Sequence, residues 1–288
     1  MVEGTGFKIR STQPSFIDGI RPHLAGYEAT EDELTDLATY LFSAIPGEDR
    51  RLPGGMVARG LHSVYAQGMR IYHGLDPEAM VGSLLHMMRS LTLDYLDEFV
   101  RIRGGSVAVD GGGLLLATAE DRPETAVLVA MLMSRGAAYL GDEVALIDPV
   151  LRRLHPSPLS VLVDVAAASL IPGIGPRGAP SRSGRATPGR YAVLPEALGS
   201  RSADPTPLRW VAFPSYEPGS RTRLEPAGGA GAVFGLSRAC VNLDVWEERG
   251  LMMFRELADD AAISRLVIGS LEEAADLLIE SAPTLAGA

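Results

Sequence analysis

Apolar and polar positions change period several times along this chain, and each change marks an expected element. Phe7 to Ser11 reads as a short strand, and Gly19 to Tyr27 as a loop and helix edge. Thr30 with Glu33 three residues on forms a capping box. Leu34, Leu37, Ala38 and Leu41 follow at period 3.6, so a helix is expected there. Residues 46–75 alternate polar and apolar, with turn signals at Pro53-Gly54-Gly55 and His73-Gly74, and predict strands. Asp76-Pro77-Glu78 opens a second helix, expected to run to Val100 with Met80, Leu84, Leu91 and Leu96 on its apolar face.

Ser106–Val109 and Leu114–Leu116 predict two strands joined by a glycine hairpin at Asp110-Gly111. A helix over Glu124–Ser134 follows, ended by Gly136 at the C′ position. Tyr139 to Ile147 reads as one strand carrying Asp142 and Glu143, and the apolar run Leu159–Leu170 as a helix. Residues 172–190 break the pattern. They are rich in Pro, Gly and Ser, with Arg177, Arg182, Arg185 and Arg190 and no acid, and predict a mobile loop. Beyond it come a strand at Leu208–Phe213, helices at Ala227–Cys240 and Val245–Leu257, a strand at Ser264–Ile268 and a helix at Leu271–Ile279.

Composition narrows the function classes. The chain has 288 residues, 46% of them apolar, enough for a real core and for one or two domains. No apolar run approaches the ~18 residues of a membrane span, so no membrane partner is expected. The formal net charge of −10 argues against broad nucleic-acid binding. Met1 to Arg10 holds no apolar stretch of the signal-peptide kind, and a single cysteine, Cys240, rules out an internal disulfide. Both fit a reducing cytoplasm. The five histidines show no metal-ligand spacing.

The most telling segment is 114–136. An apolar strand, a polar octet from Thr118 to Thr125 and an apolar helix follow in the order of a P-loop, G-x-x-x-x-G-K-[ST]. In that frame Thr118 and Pro123 stand where the glycines belong, Glu124 stands where the lysine belongs, and only Thr125 fits. Lys8 is the only lysine in the chain, so no shift of the frame restores the motif. A P-loop wraps phosphates with backbone N–H groups. Pro123 has none, and Glu124, with Glu120 and Asp121 nearby, brings negative charge towards a polyphosphate.

The order of blocks resembles the HPr serine kinase family, in its HPr kinase-related branch. The resemblance rests on Phe7-Lys-Ile-Arg-Ser11, Val109-Asp-Gly-Gly-Gly-Leu-Leu-Leu116, Ser134 to Asp148, Val211 to Gly219, Thr222-Arg-Leu-Glu-Pro226 and the C-terminal helix. It spans most of the chain. It implies a smaller α+β N-terminal domain over residues 1–100 and a P-loop-type α/β domain over 101–288. It also implies ATP and magnesium as cofactors and phosphoryl transfer to a protein, peptide or small hydroxyl acceptor. Thr125 matches the magnesium-binding hydroxyl, Asp142 and Glu143 match the acidic metal and base pair, and Arg103 sits where related chains often have a histidine.

With the motif broken, the expectation is an HPr-kinase-like protein that no longer carries out conventional phosphoryl transfer. It would act as a binding or regulatory partner of a protein or peptide, in a biosynthetic or peptide-modification setting, with no cofactor. The alternative is a divergent kinase that binds ATP through Thr118, Arg122, Glu124 and Thr125, with magnesium on Thr125 and Asp142 and with Asp142 and Glu143 as the catalytic acids. A third possibility is a pocket whose acidic loop favours a cation or amine. The plainer readings also stand: Thr125 caps its helix, and Asp142 and Glu143 are solvated acids at a strand end.

Overall fold

A computed structural model describes residues 5–25, 27–35, 37–157, 159–165, 167–171 and 190–286. By contact the chain divides into two units. One takes in the described residues up to Leu96 and a later excursion around residues 159–169 and 190–193, and the other takes in the rest from Asp97.

The first unit opens with β1 (Gly6–Ser11), α1 (Pro14–Ile20), β2 (Thr39–Ile45) and a small hairpin of β3 (Arg50–Arg51) and β4 (Val57–Ala58). Then come β5 (His62–Ala66), β6 (Met69–Gly74) and α2 (Pro77–Leu93). The sheet order is β1-β2-β5-β6, with β1 and β2 parallel and the other pairs antiparallel. Its core joins Phe42, Ala44, Val64 and Tyr72 of the sheet with Met80, Leu84, Leu85 and Met88 of α2, all buried. The first turn of α2 is capped by Asp76, whose carboxylate accepts the Glu78 and Ala79 amides at 2.9 and 3.2 Å.

Two expectations fail here. The capping box exists, with the Thr30 amide donating to Glu33 Oε2 at 2.7 Å and the Glu33 amide to Thr30 Oγ1 at 3.4 Å. It closes a single 3₁₀ turn, Asp32–Leu34, and not a helix. From Thr39 the chain is strand, because pairing with β1 outweighs a periodic pattern only four positions long. The expected turn at His73-Gly74 lies inside β6. The chain turns instead at Gln67-Gly68, both at positive φ, while Pro53-Gly54-Gly55 does turn the β3–β4 hairpin.

The second unit starts with β7 (Val100–Val109), so α2 ends well before Val100. It continues with β8 (Gly112–Ala117), α3 (Pro123–Ser134), β9 (Ala138–Gly141), β10 (Val144–Ile147) and β11 (Arg153–His155). The chain then returns to the first unit for β12 (Val161–Asp164) and β13 (Arg190–Val193), which pair antiparallel. The helix expected over Leu159–Leu170 is therefore a strand and a short 3₁₀ turn, Ala168–Leu170. A mostly apolar stretch of this length fits either element, and only the β13 partner decides it. Residues 172–189 of the expected mobile loop lie outside the described residues. Arg190 belongs to β13, with Nη1 at 2.9 Å from His86 Nδ1 on α2.

The second unit closes with β14 (Thr206–Tyr216), β15 (Arg223–Pro226), α4 (Gly229–Ala239), α5 (Leu243–Asp260), β16 (Ala262–Ile268) and α6 (Leu271–Ala286). Its sheet runs β11-β10-β7-β8-β14-β16-β15, with β8, β14 and β16 parallel. The Asp110-Gly111 hairpin forms as expected, both residues at positive φ. Side chains alternate across the strands. Val100, Ile102, Leu115, Ala117 and Val211 meet Leu236 of α4 and Phe254 and Leu257 of α5. The opposite face carries α3, whose residues Thr125 to Met133 are all buried, together with α6. The unit is thus a mixed α/β sheet covered on both faces. Among the described residues no helix is long and apolar enough to cross a membrane.

Candidate functional site

The candidate residues gather around the middle of β7. The first piece is the loop between β8 and α3. Its entry is fixed by the Thr118 amide, which donates to the Arg103 carbonyl at 3.0 Å. Arg103 also holds the loop from its side chain, with Nη1 donating to the Ala119 carbonyl at 3.0 Å and Nε 3.3 Å from Asp121 Oδ1. Arg122 pairs with Glu120 at 2.9 Å. Neither arginine points a free charge at a ligand.

The second piece is the first turn of α3. Pro123 is its first residue, with the φ that a helix start requires and no N–H. The Thr125 amide donates to the Arg122 carbonyl at 2.9 Å. The Thr125 hydroxyl is buried and lies 3.2 Å from the Tyr216 hydroxyl at the end of β14. Glu124 turns one carboxylate oxygen, Oε2, into a buried position with no hydrogen-bond partner. Burial pushes the Tyr216 phenol up to about 12, and the Glu124 charge adds to that shift.

The third piece is the acidic pair. The strand expected over Tyr139–Ile147 is interrupted at Asp142-Glu143, between β9 and β10, both of which pair with β7. The Glu143 carbonyl accepts the Gly104 amide at 2.8 Å. Asp142 is buried and accepts the Tyr139 hydroxyl at 2.7 Å. It is therefore not a solvated strand-end acid. It is a buried, hydrogen-bonded one.

Gly105 is what brings these pieces together. A Cβ built there would stand 3.3 Å from the Thr125 methyl carbon and 3.6 Å from the Gly141 carbonyl oxygen, and would collide with Val129 Cγ2. Without a side chain at 105, α3 seats directly on β7, and Thr125 comes close to the residue before Asp142. Thr118, Glu143 and Thr125 thus meet β7 at the consecutive residues Arg103, Gly104 and Gly105, with Arg122 and Glu124 in the adjoining loop and helix start.

An ATP–magnesium complex does not fit the residues present. The amides of Thr118 and Thr125 are committed to carbonyls of the chain itself, position 123 has no donor, and Glu124 sits where a cation would meet phosphate. Among the described residues no three His, Cys, Asp or Glu side chains gather in a metal-holding group. The sequence reasoning did not single out Tyr216 or Ser106. The first enters through a strand about ninety positions away, and the second is a fully buried hydroxyl without a partner. Tyr216 lies within the Val211–Gly219 block, but nothing in that block marks its hydroxyl as a partner of Thr125, and Ser106 belongs to no motif. No family model and no curated protein matches the chain.

Proposed function

We propose that the chain is an HPr-kinase-like α/β protein that has lost conventional ATP-dependent phosphoryl transfer. It serves as a binding or regulatory partner of a protein or peptide, in a biosynthetic or peptide-modification pathway. One observation carries the reading. The loop after β8 keeps the strand–loop–helix frame, but its amides at Thr118 and Thr125 bond to the chain's own carbonyls, and Pro123 offers none. Catalysis of phosphoryl transfer is almost entirely positioning and charge stabilisation, and both depend on that cradle. Glu124 opposes binding as well. Two like unit charges at about 4 Å cost about 4 kcal/mol at an effective dielectric near 20, roughly a thousandfold in affinity.

Isothermal titration of the full chain with ATP–magnesium tests the reading. The expected result is no saturable binding up to millimolar nucleotide. A dissociation constant in the low micromolar range would overturn it and favour the divergent kinase, in which Arg122 and Thr125 hold the nucleotide and Asp142 and Glu143 supply metal and base functions. That second reading has its own support, in the Thr125 methyl and the Gly141 carbonyl both bordering Gly105. The double change Asp142→Asn with Glu143→Gln separates the two readings. It abolishes activity in a phosphotransferase and leaves partner binding intact in a binding protein.

A further inference from the structure

The first unit holds a cavity that the proposed function does not use. Its volume is about 380 Å³, within the range of small-molecule sites. Phe7 and Ile9 of β1, Ile17 and Ile20 of α1, Leu34 of the Asp32–Leu34 turn and Met88 of α2 form its apolar walls. The spacing explains the wall. Residues 7 and 9 share one face of a strand, and positions 17 and 20 share one face of a helix. Phe7, Ile9 and Ile17 are only half-buried, so the wall is open to an occupant.

One charged pair stands at the rim. Arg21 Nη1 and Glu28 Oε1 are 2.9 Å apart, with their side chains 62% and 63% exposed. An ion pair so exposed is weak and readily exchanged. A ligand carboxylate can replace Glu28 on Arg21 and keep the guanidinium satisfied. Taking the ~30 Å³ of one water as the size of a methylene group, the cavity has room for about a dozen heavy atoms. Most of the lining is aliphatic, which suits a flexible chain better than a stacked ring.

We infer that this cavity is a binding site for a medium-chain aliphatic carboxylate, its tail between β1 and α1 and its head group on Arg21 in place of Glu28. The site is independent of the loop after β8.

Isothermal titration of the full chain with decanoate, and with decanol as the uncharged control, tests the assignment. Decanoate is expected to bind at one saturable site. Arg21→Gln weakens it by about two- to fivefold, the worth of an ion pair this exposed. Glu28→Gln removes the competitor and tightens decanoate by about two- to fivefold, a gain that misfolding cannot produce. Neither substitution changes decanol binding. Absence of saturable decanoate binding overturns the proposal. So does binding that ignores both substitutions or that decanol matches, since the head group would then have no site.

Discussion

Replacing Gly105 by alanine tests the seat on which the candidate site depends. Gly105 is not among the residues at positive φ, so its backbone accepts alanine, and only space opposes the change. The added methyl would collide with Val129 Cγ2 and stand 3.3 Å from the Thr125 methyl carbon. Val129 and its neighbours on α3 are fully buried and have nowhere to swing. Overpacking of this kind costs about 1–3 kcal/mol. The loss of backbone freedom in the unfolded chain returns roughly 0.4–1 kcal/mol. A net loss of about 1–2 kcal/mol is expected, roughly 2–4 °C of melting temperature for each kcal/mol. Val129→Ala alone also destabilises, by about 1–3 kcal/mol for its lost buried methyl groups. The double substitution refills that space, so its cost falls short of the sum by about 0.5–3 kcal/mol. Both tryptophans, Trp210 and Trp246, lie in the second unit, so guanidinium unfolding followed by their fluorescence reads that unit alone. A neutral Gly105→Ala, or strict additivity in the cycle, would refute the reasoning. It would mean that α3 is not seated on β7 there and that Thr125 is not held beside Gly141.

Restoring the motif with Thr118→Gly, Pro123→Gly and Glu124→Lys should give measurable ATP binding by titration. A folded triple variant that stays silent would count against the HPr-kinase-like frame. Asp76→Ala removes the α2 cap and the acceptor of the Tyr191 hydroxyl at 2.7 Å, and should cost about 2–3 kcal/mol in thermal or denaturant unfolding. Asp76→Asn, which keeps an acceptor at the cap, should cost less, and equal losses would exclude the capping role. Burial raises Tyr72 and Tyr216 to about 12 from an ordinary 10.0. The folded state then keeps protons that the unfolded chain releases, so this stability is full below pH 10 and is lost as pH rises through about 12. Melting temperatures across that range should fall, and less steeply in Tyr216→Phe. Burial lowers His23 and His62 from 6.5, so their contribution is present above pH 6.5 and is lost as pH falls below it. A melting temperature that stays flat on acidification to pH 5 would contradict this.

Local chemistry settled much of the second unit in advance. Asp110-Gly111 specifies a tight hairpin between two apolar runs because both positions tolerate positive φ. Pro123 and Gly136 bound α3 because one suits a helix start and the other a left-handed cap. The broken motif was equally legible, since a missing lysine and a proline without N–H are properties of residues and not of their surroundings. Tertiary structure decided the rest. Thr30 and Glu33 form their reciprocal bonds, yet no helix follows, because Thr39–Ile45 gains a parallel partner in β1. Val161–Asp164 became strand because β13 returns beside it after an interval of about twenty-five residues. The candidate site followed the same rule. Thr125 and Asp142 could be named from the sequence, but the approach of Thr125 to Gly141, the residue before Asp142, needed Gly105, and the hydroxyl that Thr125 meets came from Tyr216 on β14. Caps, turns and missing donors involve a few adjacent residues, so they can be read along the chain. Strand partners and buried acids are fixed by groups distant in sequence, so only the folded chain reveals them.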